Sequence, residues 1–180
     1  MPSFILTGTP GAGKTAALRQ LELDGYLVVE EAATDVIALE QALGIGQPLT
    51  NPAFIDNVVR LQRMRQTRIA VAAHQTAFFD RSPVCTLALS KYLGFALSSV
   101  LEAEIERVLH EAVYDQTVFF VRALGGVRTT AARQISFADS LDFELLHEKT
   151  YRDLGFRLVD VPAAPVQERV ELIHRFHQKP

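Results

Sequence analysis

Gly8-Thr9-Pro10-Gly11-Ala12-Gly13-Lys14-Thr15 follows an apolar run, Phe4-Ile5-Leu6-Thr7, and precedes a stretch with helical character carried by Ala16, Ala17, Leu18 and Leu21. The octet fits the Walker A pattern G-x-x-x-x-G-K-[ST] at every fixed position. Glycines let the backbone curl until successive amide N–H groups point inward at phosphate oxygens. The helix that follows offers its N-terminal amides and positive dipole end to the same anion. Gly8, Thr9, Pro10, Gly11, Ala12, Gly13 and Ala16 therefore frame a nucleotide site in which Lys14 reaches the β- and γ-phosphates and Thr15 ligates Mg²⁺. With glycine at about 7% of average usage, a random chain of this size matches the fixed positions on the order of once in a hundred, and the strand-to-helix context makes chance a poorer account still.

Outward from this loop the pattern repeats. Tyr26-Leu27-Val28-Val29 reads as a second strand, Thr76 to Phe79 as a third, Thr117 to Val121 as a fourth and Phe156 to Val161 as a fifth. Helices are expected over 32–43, from the Asn51-Pro52 opening to about Ala73, and over 83–93. Further helices are expected from Ser99, whose spacing to Glu102 suits a capping box, from Ser136 with Phe137, Leu141 and Leu145 inward, and from Pro165 with Val166, Val170 and Ile173 inward. Strands separated by helices cannot be hairpins, so they imply right-handed crossovers, a parallel sheet and a single α/β domain over residues 1–180.

The third strand runs into Phe78-Phe79-Asp80-Arg81-Ser82. An aspartate at a strand's C-terminal edge can hold Mg²⁺ beside Thr15, directly or through water. Nucleotide-hydrolysing motors place a glutamate next to it to activate water; Arg81 stands there instead, and a cation suits a transferring phosphoryl group. Glu30 and Glu31 end the second strand at the sheet edge where ligands bind, and either could orient or deprotonate an acceptor hydroxyl; Glu30 is taken first. The basic segment with Arg128 and Arg133, after Gly125-Gly126, is expected to be a lid over about 122–137 that closes on nucleotide. Gln62 and Arg63 are the acceptor-side candidates on the third helix, whose other arginines are expected to be solvated or paired with acids.

Composition narrows the partners. Of 180 residues, 48% are hydrophobic and 22% charged, which argues against disorder. Eighteen Lys plus Arg against 21 Asp plus Glu give a net charge of −3, so no global basic field holds a nucleic-acid backbone. A single cysteine, Cys85, excludes an internal disulfide framework and thiolate-cluster metal sites. With no membrane-spanning run and no secretory signal pattern, a cytoplasmic location is expected. Asn51 and Asn57 are the only asparagines, and neither begins an Asn-Lys-x-Asp guanine reader. ATP is therefore taken as the nucleotide, with GTP left open.

The runs FILTGTPGAGKT, YLVVEEAATDVI, FFDRSP and YRDLGFRLVDVP resemble the AAA-type ATPase domain related to NadR-type nicotinamide ribonucleoside kinases, with a more distant likeness to deoxynucleoside kinases. The resemblance covers nearly the whole chain in order. It implies a P-loop kinase sheet of strand order 2-3-1-4-5 with helices on both faces. It also implies that Asp80 and Arg81 are phosphate-site residues, Glu30 a base, and Arg128 and Arg133 lid arginines. The expectation is a Mg²⁺-dependent kinase using ATP on a small, nucleoside-like hydroxyl acceptor. A nucleotide-dependent switch or slow NTPase acting on a protein partner is the alternative.

Overall fold

Alternation along the first strand sets up a three-layer structure. In the computed structural model, which describes residues 2–8, 11–72, 75–122 and 137–177, β1 spans Ser3–Thr7. Phe4 and Leu6 face one apolar layer and Ile5 the other, as a period-two strand buried on both sides requires. The remaining strands are β2 (Leu27–Val29), β3 (Ala77–Asp80), β4 (Thr117–Val121) and β5 (Arg157–Val161). All pairings are parallel and the order is β2-β3-β1-β4-β5, as the resemblance implies.

Seven α-helices are described: α1 (Lys14–Leu23), α2 (Ala32–Ala42), α3 (Ala53–Ala72), α4 (Pro83–Tyr92), α5 (Ser99–His110), α6 (Phe137–Asp153) and α7 (Val166–His177), with a short 3-10 helix at Pro48–Thr50. One face of the sheet packs α1 and α7, through Ala17, Leu18, Leu21, Val170 and Ile173, onto the phenylalanines of β1, β3 and β4. Phe4 stacks on Phe78 there with ring centroids 5.7 Å apart, and each fully buried ring contributes about 1.5–3 kcal/mol. The other face carries the remaining helices, with Phe54, Val58, Val84, Leu101 and Tyr151 in its core. No described helix is long and apolar enough to cross a membrane.

Element boundaries follow the sequence within a residue or two, and the Asn51 side chain accepts the Ala53 amide at 3.0 Å at the opening of α3. Two expectations need correction. The N-cap of α5 is Ser98 rather than Ser99: its Oγ accepts the Leu101 amide at 3.2 Å, which leaves Glu102 one position too far along for a capping box. On α6, Leu145 is exposed, and the buried stripe is Phe143, His147 and Tyr151. That helix buries a polar-aromatic face, so a reading based on aliphatic residues selects the wrong side. The segment expected to be a lid, with Arg128 and Arg133, lies outside the described residues apart from its two ends.

The turn out of β1 depends on a glycine. Gly8 has φ 130°, and a Cβ built on it would stand 2.2 Å from the Val121 carbonyl oxygen. Gly8→Ala is expected to lose about 3 kcal/mol or more, from the left-handed backbone and the clash together, read as a fall in Tm or insolubility. An unchanged Tm would refute this close approach of the loop to β4.

Candidate active site

β1 and β3 end side by side, and this edge gathers the polar residues. Leu6 pairs with Asp80, and the Arg81 amide continues the ladder by donating to the Leu6 carbonyl at 3.0 Å. In an open sheet of this order, the loops leaving the C-terminal ends of adjacent strands enclose a crevice. The phosphate loop enters it from β1 with Gly11 and Gly13 at φ 86° and 85°, Gly13 being the left-handed N-cap of α1. Such a run of left-handed glycines turns backbone N–H groups toward one concavity. Thr9 and Pro10 lie outside the described residues. Ala12 is fully buried, whereas Thr15 and Ala16 are exposed.

Lys14 is buried and donates to the Gly8 carbonyl at 3.2 Å. Burial, then the nearby Arg81 guanidinium, lowers its pKa from 10.5 to about 8, against the opposing pull of Asp80 and Glu31. The unfolded chain thus binds more protons between pH 8 and 10.5, so this group alone makes the apo fold more stable as pH rises through that window. An added polyanion restores the charged form. ATP binding near pH 8.5 is therefore expected to take up protons, and its affinity to fall as pH rises past about 8. Calorimetry in buffers of different ionisation heat measures the uptake; zero uptake at pH 8.5 would contradict the assignment.

Arg81 has φ 71°, a conformation that costs a side-chain-bearing residue about 1 kcal/mol or more and is tolerated where its surroundings fix it. Here the guanidinium Nε donates to Glu31 Oε1 and Nη1 meets Cys85 Sγ at 3.1 Å. Glu31 also accepts from Thr34 Oγ1 at 2.7 Å. Burial alone would push the Glu31 carboxyl up; attraction to Arg81, helped by Thr34 and Lys14, reverses this and holds it at about 2. Glu30 instead forms an exposed ion pair with Arg19.

Thr15, Asp80, Glu30, Glu31, Thr34 and Asp35 share the walls of a cavity of about 280 Å³. A hydroxyl and a carboxylate at one wall are hard oxygen donors of the kind Mg²⁺ takes, with its remaining positions left to water and phosphate. No described group of three or more His, Cys, Asp or Glu residues could form a protein-only metal cage.

The acceptor-side candidates separate. Gln62 accepts from Thr86 Oγ1 at 3.0 Å and so faces the helix that begins at Pro83, beside Cys85. Arg63 faces α5, 3.6 Å from Glu104. Arg65 of the same helix bonds the carbonyls of Glu30 and Glu31, each at 2.9 Å, and the Asp35 carboxylate. It pins the β2–α2 turn that presents Glu31. The structure thus brings Lys14, Thr15, Asp80, Arg81 and Glu31 together and turns Glu30 and Arg63 to other partners.

Behind this group lies a buried layer not anticipated from the sequence. His147 Nε2 is 3.0 Å from Thr7 Oγ1, and Tyr151 OH is 2.7 Å from Ser82 Oγ. Burial, together with Arg81 and Lys14, holds the His147 pKa well below its ordinary value, so the ring is neutral. The signal was present as Phe143-His147-Tyr151, an i, i+4, i+8 stripe.

Sheet order, phosphate loop and the Asp80-Arg81-Ser82 turn define a P-loop fold of the nucleotide-kinase type. The AAA domain family matches residues 3–169, and the chain belongs to it. No curated protein matches it in sequence. Among solved structures it is similar to deoxyadenosine kinase from M. mycoides with the products dCMP and dCDP bound, at 16% identity and TM-score 0.62, covering 97% of this chain and 98% of that one. The same enzyme with dATP bound gives 16% and 0.58, covering 99% and 100%. Thymidylate kinase from Ehrlichia chaffeensis gives 14% and 0.60, covering 98% of each. At these identities the likeness is one of fold.

Proposed function

We propose that this chain is a Mg²⁺-dependent kinase that transfers the γ-phosphate of ATP to a hydroxyl of a small, nucleoside-like acceptor in the cytoplasm. The observation that carries the reading is the Arg81–Glu31 pair, with Arg81 on a left-handed backbone and Glu31 on the wall of the cavity that Thr15 and Asp80 also line. Nucleotide-hydrolysing motors carry a water-activating glutamate at the position Arg81 occupies, whereas a guanidinium there stabilises charge on the transferring group.

The loop amides and Lys14 hold the β- and γ-phosphates. Thr15 and Asp80 supply oxygen ligands for Mg²⁺, which neutralises phosphate charge when bound. Arg81 meets the transferring group, and Arg128 and Arg133 add charge from the segment after β4. Glu31 accepts a hydrogen bond from the acceptor hydroxyl and directs its oxygen in line with the γ-phosphate. With a pKa of about 2 it is ionised at every working pH but weakly basic, so it orients the hydroxyl and takes the proton late. Gln62 of α3, whose Oε1 accepts from Thr86 Oγ1, is the acceptor-side residue that the sequence offers to this reading.

The nucleoside class draws on the fold neighbours, which hold dATP or deoxycytidine nucleotides, and on the resemblance to nicotinamide ribonucleoside kinases. Labelled ATP is incubated with the protein and a panel of deoxynucleosides, nucleoside monophosphates and nicotinamide riboside. Labelled acceptor is the expected product. Phosphate release at one rate with and without every acceptor would overturn the kinase reading in favour of a slow NTPase switch.

A further inference from the structure

Arg169 is 2% exposed, on the first turns of α7, and its Nη1 donates to the Ala12 carbonyl at 2.5 Å. That carbonyl belongs to the phosphate loop, 157 residues away along the chain. Arg169 Nε and Nη2 are buried and have no hydrogen-bond partner among the described residues. No salt bridge to Arg169 is present among the described residues, so a cation sits inside the protein on one bond to a backbone oxygen. A buried charge so poorly compensated is costly, and an aliphatic side chain of similar volume in its place is often neutral or stabilising. Packing alone does not explain this residue.

We propose that Arg169 is a positioning residue for the phosphate loop, setting the direction of the Gly13 amide. The peptide joining Ala12 to Gly13 is planar and trans, so its C=O and N–H point to opposite sides. Drawing the Ala12 oxygen toward α7 therefore turns the Gly13 N–H away from α7, toward the concavity formed by the left-handed Gly11 and Gly13. Without the guanidinium, the isolated Ala12–Gly13 peptide can rotate as a unit and withdraw one donor from the anion. The cost of burying Arg169 falls on the apo fold and its benefit appears when phosphate arrives.

The inference rests on the reading of this loop as a phosphate cradle, and its test separates the two. Wild-type protein, Arg169→Met and Arg169→Lys are compared for apo Tm and for Mg²⁺–ATP affinity by calorimetry. Arg169→Met is expected to keep or exceed the wild-type apo Tm yet to bind ATP about tenfold or more weakly. Arg169→Lys, which retains a charged donor for the Ala12 carbonyl, is expected to recover most of that affinity. A lower apo Tm with unchanged affinity in Arg169→Met would make the residue merely structural and overturn the proposal. If Arg169→Met does not fold, Arg169→Lys decides through its ratio to Arg169→Gln, which loses the charge: equal affinities overturn the proposal, and tighter binding by the lysine variant supports it. Failure of the wild type to bind ATP would instead overturn the phosphate-cradle reading, and the proposal with it.

Discussion

Arg81→Ala is expected to lower kcat/KM for phosphoryl transfer by about a thousandfold or more, the effect of removing a cation from developing phosphoryl charge. The variant also loses the partner that keeps Glu31 ionised. In the wild type the Glu31 carboxyl titrates at about 2 against an ordinary 4.5. Its contribution to stability is complete above pH 4.5 and disappears as pH falls through about 2. Once Arg81 is gone, burial is opposed only by Thr34 and Lys14, so the Glu31 pKa climbs and acid unfolding begins at higher pH. A Tm series between pH 3 and 7 reads this shift. Arg81→Lys keeps a charge but cannot reach Glu31 and Cys85 with the same planar fork, and an intermediate rate is expected. If Arg81→Ala kept more than about a tenth of the wild-type kcat/KM, the site would lie elsewhere.

Glu31→Gln should reduce kcat by roughly 10²- to 10⁴-fold, as removal of a residue that orients and finally deprotonates the hydroxyl does. Glu30→Gln should change it less than about threefold, because its ion pair with Arg19 is solvent-exposed on both sides and worth little. The reverse pattern would return the acceptor role to Glu30. A further check comes from pH: ionised from about pH 3 upward, Glu31 imposes no acid limb on kcat/KM above about pH 4. An acid limb near neutrality that vanishes in Glu31→Gln would show a carboxyl far more basic than this one.

Neighbouring glutamates show why part of the site was legible and part was not. A position at the C-terminal end of β2 follows from the apolar run before it, so both Glu30 and Glu31 could be placed at the ligand edge. Which one turns inward depends on the Arg65 hydrogen bonds to both carbonyls and on Arg81, residues 34 and 50 positions away from Glu31. The partner of Arg63 was hidden for a similar reason. Helical spacing puts it on a face, but only the packed position of α5 supplies Glu104 as its partner. His147 and Arg169 sit on the buried stripes of α6 and α7, and a reading that seeks aliphatic residues on such stripes passes over them.

By itself the sequence determined the phosphate loop, the five strands, their parallel arrangement and the aspartate-arginine turn after β3. These are local: glycines at set spacing, apolar runs of strand length, and crossovers too long for hairpins. Tertiary structure decided which glutamate meets Arg81, how a lysine comes to be buried at reduced pKa, and that an arginine of the last helix grips the loop encoded at the start. Each depends on burial and on partners distant in the chain, and desolvation with electrostatic pairing acts through space, which residue order does not record.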